Sequence, residues 1–144
     1  MKETLAFRLF LRRKNKREKK HLKILVVDDE QIVREAIQTN LSLRHGHDVW
    51  MASNGIEALR ILHAETFDLI LLDFLMPAMN GLQTFMSIRH LVKCPVVLMT
   101  AYAETGCATE FAEMGGSGFL RKPLDFDILN TQIEAFYFGR EIER

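Results

Sequence analysis

The stretch KILVVDDEQ, residues 23–31, decides the fold. Residues 24–27 are all apolar and leave no polar face, which is typical of a strand in a parallel sheet that is covered on both sides. Asp28 and Asp29 follow this strand directly. Adjacent carboxylates at the end of a buried strand repel each other, so their placement there requires a physical cause.

Similar short apolar runs recur along the chain and alternate with longer stretches of helical period. The runs are rich in Val, Ile and Leu and most are too short for helices, so they predict strands. Predicted strands span residues 24–27, 49–52, 69–72, 96–99 and 119–120, and predicted helices span residues 30–43, 55–63, 82–91, 105–114 and 124–138. This alternation predicts an α/β fold with a parallel sheet and right-handed crossovers.

The charge divides the chain into two parts. Residues 1–23 contain ten basic and two acidic residues, about +8, and the remainder carries about −8, so the net charge of the 144 residues is zero. We predict a basic N-terminal extension over residues 1–22, helical or disordered, and one folded domain over residues 23–144. Cys94 and Cys107 lack CxxC spacing and no secretory signal precedes them, which favours the cytoplasm.

Chemically active side chains follow four of the predicted strands. They are Asp28 and Asp29 after the first strand, Asp73 after the third, Thr100 after the fourth and Lys122 after the fifth. Ligands of such sheets bind outside the carboxyl ends of the strands. Carboxylate pairs ~4 Å apart would repel by about 4 kcal/mol at an effective dielectric constant near 20. A Mg²⁺ ion would resolve this repulsion, and it also accepts the oxygens of a phosphoryl group as ligands.

Competing roles fit these residues less well. Asp29 alone would suit the N-cap of the helix that begins near Glu30. The chain has no GxxxxGK[ST] loop, GxGxxG turn, GxSxG elbow or HExxH pair. The histidines lie in predicted loops or helices, away from the strand ends, and are predicted at the surface; they are His21, His45, His47, His63 and His90.

Four motifs give the sequence a resemblance to a known family. They are VVDDE (26–30), LILLDFLMPAMNG (69–81), VVLMTA (96–101) and GGSGFLRKP (115–123). Together they resemble the response-regulator receiver domain of two-component signalling over about residues 22–140. The resemblance implies a flavodoxin-like, doubly wound sheet of five strands in the order 2-1-3-4-5 with five helices.

The resemblance also implies roles for the site residues. Asp73 would accept a phosphoryl group, and Mg²⁺ would be held by Asp28, Asp29, Asp73 and the backbone carbonyl of Leu75. Lys122 would pair with the phosphoryl group, and Thr100 and Phe119 would move together as the switch. The domain would not be an enzyme beyond catalysing its own phosphorylation and dephosphorylation.

Partners are implied on two sides of such a switch. A sensor histidine kinase or phosphotransfer protein would supply the phosphoryl group. An output protein, or a second copy, would dock on the fourth helix, fifth strand and fifth helix. Residues 1–20 would suit nucleic acid, an anionic membrane or an acidic partner. The chain is interpreted as a stand-alone receiver or the receiver part of a longer transcriptional regulator.

Some positions are individual to this sequence. Leu75 and Tyr102 flank the predicted site, cannot orient a water well, and predict slow self-dephosphorylation. Gly116 stands where the family more often has Ala, which would loosen the fourth helix or simply end it. Two rival functions are a receiver-like binding module that takes no phosphate, and a phosphatase of the haloacid dehalogenase type, whose DxDxT pattern Leu75 breaks.

Overall fold

The computed structural model describes residues 4–8, 21–102 and 105–142, with side chains up to residue 137. Five parallel strands form one sheet in the order β2-β1-β3-β4-β5, so the predicted fold and strand order are confirmed. The strands are β1 (Lys23–Val27), β2 (Asp48–Ala52), β3 (Leu69–Asp73), β4 (Val96–Thr100) and β5 (Gly118–Arg121). The helices between and after them are α1 (Gln31–Gln38), α2 (Gly55–Ala64), α3 (Gly81–Ile88), α4 (Cys107–Glu113) and α5 (Phe126–Ile142).

The sheet is buried on both faces, as its continuous apolar runs predict. Along β1, Ile24 and Val26 point to the layer that contains Ile37 of α1 and Leu129 of α5. Leu25 and its alternate neighbours point to the opposite layer, formed by α2, α3 and α4. Because side chains alternate along a strand, each central strand needs apolar residues at every position.

The predicted helices are present with shifted ends. The periodicity of residues 30–43 predicts one continuous helix, but α1 gives way to a π-helical segment, Thr39–Arg44. Asn40 in that segment is buried, and its Oδ1 accepts a hydrogen bond of 2.9 Å from Nδ2 of Asn130 on α5. This contact joins residues 90 positions apart, so periodicity within residues 30–43 could not predict it.

The basic extension is only partly described. Residues 5–8 form one helical turn, and residues 1–3 and 9–20, which hold most of the basic residues of the extension, lie outside the described residues. The boundary after residue 22 and the state of the extension therefore stay predictions. Within the described part of the chain, every helix is too short or too polar to cross a bilayer.

Candidate functional site

The two adjacent carboxylates at the end of β1 have different environments. Asp28 is fully buried and its backbone N–H still pairs with Ala52 of β2 at 3.1 Å, whereas Asp29 is exposed. Oδ1 of Asp28 accepts the backbone N–H of Glu30 at 2.9 Å, and Arg34 donates to the Asp28 carbonyl oxygen at 2.7 Å. The turn between β1 and α1 is thus built around Asp28.

Asp29 does not cap α1, so that alternative is wrong. The N-cap position is Glu30, and it makes no side-chain capping hydrogen bond. The side chain that meets the Glu30 N–H comes from Asp28. Asp29 is therefore left available for another partner.

Asp73 ends β3, the strand next to β1, and is 3% exposed. One carboxylate oxygen from each of Asp28, Asp29 and Asp73 lies within 4.8 Å of the other two. The parallel pairing of β1 and β3 produces this cluster, because the residues that follow paired strands arrive at the same edge of the sheet. The sequence prediction that these three residues meet holds in the structure.

Lys122, which directly follows β5, reaches across this edge to the cluster. Its Nζ lies 2.6 Å from Oδ2 of Asp28, 3.0 Å from Oδ1 of Asp73 and 3.7 Å from Oε1 of Glu30. Burial by itself lowers the pKa of Lys122, but hydrogen bonds to Asp28 and Asp73 outweigh it, so the pKa is raised. The lysine is held as a cation between two buried carboxylates.

One lysine does not neutralise the site. Burial raises the pKa of Asp73 to about 7, and the charges of Asp28 and Asp29 add to that rise while Lys122 opposes it. The carboxylate of Asp73 is therefore unstable as an anion without a further positive charge. This surplus of negative charge and the clustered oxygens fit a hard divalent cation, since Mg²⁺ prefers carboxylate ligands and waters.

Thr100 ends β4, next to β3, and is 1% exposed. Its Oγ1 accepts the backbone N–H of Tyr102 at 2.8 Å and lies 3.6 Å from Sγ of Cys107. The hydroxyl is therefore engaged with the loop that leads to α4. The sequence analysis assigns Cys107 no site role, and no spacing in the sequence indicates this contact.

The remaining predicted site residues lie around the edge of the cluster. Phe119 of β5 is 38% exposed, and Leu75, two residues after Asp73, is 57% exposed. Tyr102 is also exposed. The metal-binding role of the Leu75 carbonyl stays a prediction. Sequence reasoning misses Glu30 and Arg34, although both lie within six residues of Asp28 and carry charges.

A mainly apolar pocket of about 460 Å³ adjoins Lys122. It lies between α1 and the loops that follow β4 and β5. Its apolar wall is formed by Ile32, Val33, Ala36, Ala101, Pro123, Leu124 and Phe126. Ile32 is 82% exposed and presents an apolar side chain at this pocket.

The histidines lie away from this site, and four of the five are exposed. His47 is half-buried at the opposite edge of the sheet. Its Nδ1 accepts the backbone N–H of Leu22 at 3.1 Å. The surface prediction therefore fails in part for His47.

Comparison with known proteins gives a consistent result. A sequence profile described as the response regulator receiver domain matches residues 24–134. The transcriptional regulatory protein CrdR of Helicobacter pylori is 34% identical over 123 residues, which cover 84% of this chain and 57% of that protein. The chain spans between 24% and 57% of the length of the first curated relatives that it matches.

Solved structures agree with the sequence matches. The receiver domain of the Francisella response regulator 1452 aligns with a TM-score of 0.76 at 27% identity, over 83% of this chain and 99% of that one. TrrA of Thermotoga maritima, solved in complex with Mg(2+)-BeF, aligns with a TM-score of 0.69 at 30% identity, over 79% of this chain and 97% of that one.

Proposed function

The chain belongs to the response regulator receiver domain family, and from this membership we propose that Asp73 accepts a phosphoryl group and that the domain is thereby switched. Receiver domains are phosphoacceptor switches and not classical enzymes, so Asp73 acts once per signalling event. The donor is a phosphohistidine of a sensor histidine kinase or a phosphotransfer protein.

The position of Lys122 between Asp28 and Asp73 carries this proposal. A carboxylate oxygen of Asp73 attacks phosphorus, and the phosphorus–nitrogen bond of the donor breaks with its electron pair leaving on the imidazole. Lys122, 3.0 Å from Asp73, offsets negative charge on the transferred group. Catalysis here consists of positioning and charge neutralisation, because the carboxylate is a weak nucleophile.

The three clustered carboxylates and the Leu75 carbonyl would hold Mg²⁺. When bound, Mg²⁺ supplies positive charge at the phosphoryl oxygens and compensates the surplus of carboxylates. Asp28 is already engaged by Lys122 and Glu30, so Asp29 and Asp73 offer the freer oxygens. That a relative was solved with Mg(2+)-BeF supports the same assignment.

The pocket beside Lys122 suits the donor protein. It places an apolar surface that includes Ile32 next to the charged cluster, so an apolar helix of the donor would cover the site while its phosphohistidine reaches Asp73. Exclusion of water by such a partner would strengthen the electrostatic interactions at Asp73. A charged substitution, Ile32→Glu, should slow transfer from a donor protein while leaving reaction with acetyl phosphate unchanged.

The output side is the surface formed by α4, β5 and α5. There Phe119 and Ile128 are exposed, and a groove of about 310 Å³ runs between β5 and α5. Movement of Thr100 toward the phosphoryl group, with Phe119 following, would change this surface for an output protein or a second copy. Because the curated relatives are longer than this chain, the alternative to a stand-alone receiver is the receiver part of a longer transcriptional regulator.

The phosphoryl group should be lost slowly. Leu75 and Tyr102 flank Asp73 and Thr100, and neither carries a carboxylate or amide that orients an attacking water. Leu75→Asn should speed loss of phosphate by roughly fivefold, which corresponds to about 1 kcal/mol of activation free energy. The rate is followed from release of inorganic phosphate, and an unchanged rate would contradict the shielding role.

The decisive experiment is incubation with Mg²⁺ and acetyl phosphate followed by intact mass measurement. Wild type should gain one phosphate, Asp73→Asn should gain none, and Asp127→Asn, which removes an exposed carboxylate on α5, should behave as wild type. No adduct on wild type would favour the alternative of a binding module that takes no phosphate. Contacts of residues 1–20 with nucleic acid or membrane, and a cytoplasmic location, stay predictions.

A further inference from the structure

Cys107 forms a closed set of contacts with Thr100 and Tyr102, outside the carboxylate cluster. The Tyr102 N–H donates to Oγ1 of Thr100 at 2.8 Å, and Oγ1 lies 3.6 Å from Sγ of Cys107. Sγ in turn lies 3.3 Å from the Tyr102 carbonyl oxygen, to which it donates. A consistent proton assignment has each group donate once: peptide N–H to hydroxyl, hydroxyl to sulfur, and thiol to carbonyl.

We propose that Cys107 is a positioning residue that holds the Thr100 hydroxyl in its resting orientation and connects that hydroxyl to the first turn of α4. The proposal rests on the proposed function, in which Thr100 turns toward the phosphoryl group. In the proton assignment above, the hydroxyl hydrogen is directed to sulfur. Thr100 must give up this contact and the Tyr102 N–H when it moves.

The start of α4 makes this contact consequential. The N-cap of α4 is Gly106, with φ of 86°, and it provides no side-chain cap. The Tyr102 carbonyl instead gathers three donors from this region: the Thr105 N–H at 3.0 Å, the Thr105 hydroxyl at 2.7 Å and Sγ of Cys107. Cys107 is the first residue of α4, and its sulfur contacts Thr100, the residue that moves in the proposed switch.

Sulfur suits this role because its hydrogen bonds are weak. Thiols are weak donors and acceptors, so Thr100 is held loosely enough for a phosphoryl group to compete for its hydroxyl. Cys107 is 4% exposed, and solvent does not provide an alternative partner. Removing the sulfur leaves the buried hydroxyl hydrogen without an acceptor in the resting orientation, which favours the orientation toward the phosphoryl group.

The test is a double-mutant cycle on Cys107 and Thr100, read by binding of beryllium fluoride in the presence of Mg²⁺. Cys107→Val fills the space of the thiol without a donor or acceptor, and Cys107→Ala serves as the second variant if valine does not fold. Cys107→Val should tighten binding by about twofold to threefold, the low end for one net hydrogen bond, because sulfur is a weak partner. Cys94→Ala, which removes the half-buried cysteine, should leave binding unchanged.

The effect of Cys107→Val should disappear in a Thr100→Ala background, because the hydroxyl that sulfur holds is then absent. An equal factor in both backgrounds, or no effect in wild type, would overturn the proposal. Absence of Mg²⁺-dependent beryllium fluoride binding by wild type would instead overturn the proposed function itself. The two failures are therefore distinguishable.

A measurement without substitution at Cys107 completes the test. In Cys94→Ala protein the single remaining thiol gives one infrared S–H stretch. Addition of beryllium fluoride and Mg²⁺ should shift that band, since the sulfur loses the Thr100 hydroxyl, and Thr100→Ala should abolish the shift. A band that does not move although beryllium fluoride binds would contradict the positioning role.

Discussion

The amino and carboxyl ends of the parallel strands form two edges of the sheet, and these edges differ in how their polar and charged groups are paired. At the amino edge, the polar groups around the strand starts are paired: Lys23 Nζ lies 2.6 Å from Oε2 of Glu65, and the Val96 N–H donates to Oγ of Ser117 at 3.1 Å. At the carboxyl edge, three carboxylates surround one lysine. The groups named at the amino edge are paired, whereas the carboxyl edge carries a surplus of negative charge.

This difference separates stability from function. Buried polar groups that are fully paired stabilise a fold, and an unpaired buried charge destabilises it. Under the proposed function, an incoming Mg²⁺ ion would relieve the unfavourable Asp73 anion at the carboxyl edge. Substitutions that remove the surplus should therefore stabilise the chain, whereas equally small changes at the amino edge should destabilise it.

Asp73→Asn should give the largest effect. The pKa of Asp73 is raised from 3.8 to about 7 by burial and by Asp28, so folding favours its protonated form. That contribution is present below pH ~4 and is lost as pH rises through about 7. At pH 8 without divalent ions, the neutral Asn should raise the free energy of unfolding by about 2–4 kcal/mol.

Urea unfolding with EDTA at pH 8 and at pH 4 measures this effect. The gain from Asp73→Asn should shrink toward zero at pH 4, and Asp127→Asn should show no such pH-dependent gain. Added Mg²⁺ should narrow the difference between wild type and Asp73→Asn by stabilising wild type. A destabilised Asp73→Asn at pH 8 would mean that the ion pair with Lys122 outweighs the surplus.

Gly116→Ala should have the next largest effect, at the amino edge and with the opposite sign. A Cβ on Gly116 would lie closer to the Phe111 ring than atoms pack. Phe111 packs on Phe85 with ring centroids 4.7 Å apart, so it cannot move freely. We expect overpacking to lower the free energy of unfolding by about 1–3 kcal/mol.

A second substitution tests the cause. Phe111→Leu should reduce the additional cost of Gly116→Ala, since the smaller side chain leaves space for the methyl group. Equal costs with Phe and Leu at position 111 would show that the glycine is needed for another reason. We therefore interpret Gly116 as the residue that leaves space for the Phe111 ring. Gly115, with φ of 103°, follows the last turn of α4.

His47 gives a smaller, pH-dependent effect. Burial first, and then the charges of His45 and His21, lower the pKa of His47 below 6.5. The neutral ring is thus favoured in the folded state, and its stabilisation is present above pH 6.5 and is lost as pH falls. Wild type should therefore lose stability through this group as pH falls from ~7.5 to ~5.

His47→Asn separates titration from hydrogen bonding. The Asn side-chain oxygen replaces Nδ1 as acceptor for the Leu22 N–H but does not titrate, so the stability lost on acidification should shrink. His47→Ala should also remove the slope and lower stability at pH ~7.5 by about 1 kcal/mol, because it leaves that N–H unpaired. A slope that is unchanged in His47→Asn would place the titration elsewhere.

The sequence predicted the carboxyl edge far better than the amino edge. Asp28, Asp73 and Lys122 each follow an apolar run, and in a parallel sheet such positions meet at one edge. The fold was predictable for the same reason, since residues 24–27 and 69–72 have no polar position. His47 offered no such signal, because its acceptor role depends on where Leu22 lies after folding.

Contacts between distant residues were the part that the sequence could not supply. The contacts of Lys122 with Asp28, at 2.6 Å, and with Asp73, at 3.0 Å, depend on the path of the β5–α5 loop. Thr100 and Cys107 are only seven positions apart, but even this contact follows neither strand nor helix periodicity. Local pattern constrains which face a residue occupies, and tertiary packing decides which neighbour it meets there.

Ala78→Gly should give the smallest effect and compares backbone conformation at the two edges. Ala78, in the loop after Asp73, has φ of 66°, whereas at the amino edge the same region is occupied by Gly46, with φ of 72°. A left-handed alanine is unfavourable, so glycine should stabilise by about 0.5 kcal/mol after its entropy in the unfolded chain is included.

Gly46→Ala should destabilise, because its Cβ would also lie 2.9 Å from Cε1 of His21. Thermal unfolding of both variants measures the contrast. If Ala78→Gly stabilises and Gly46→Ala destabilises, the carboxyl edge carries backbone strain in addition to its surplus of negative charge. If both substitutions destabilise, the two edges differ only in electrostatics.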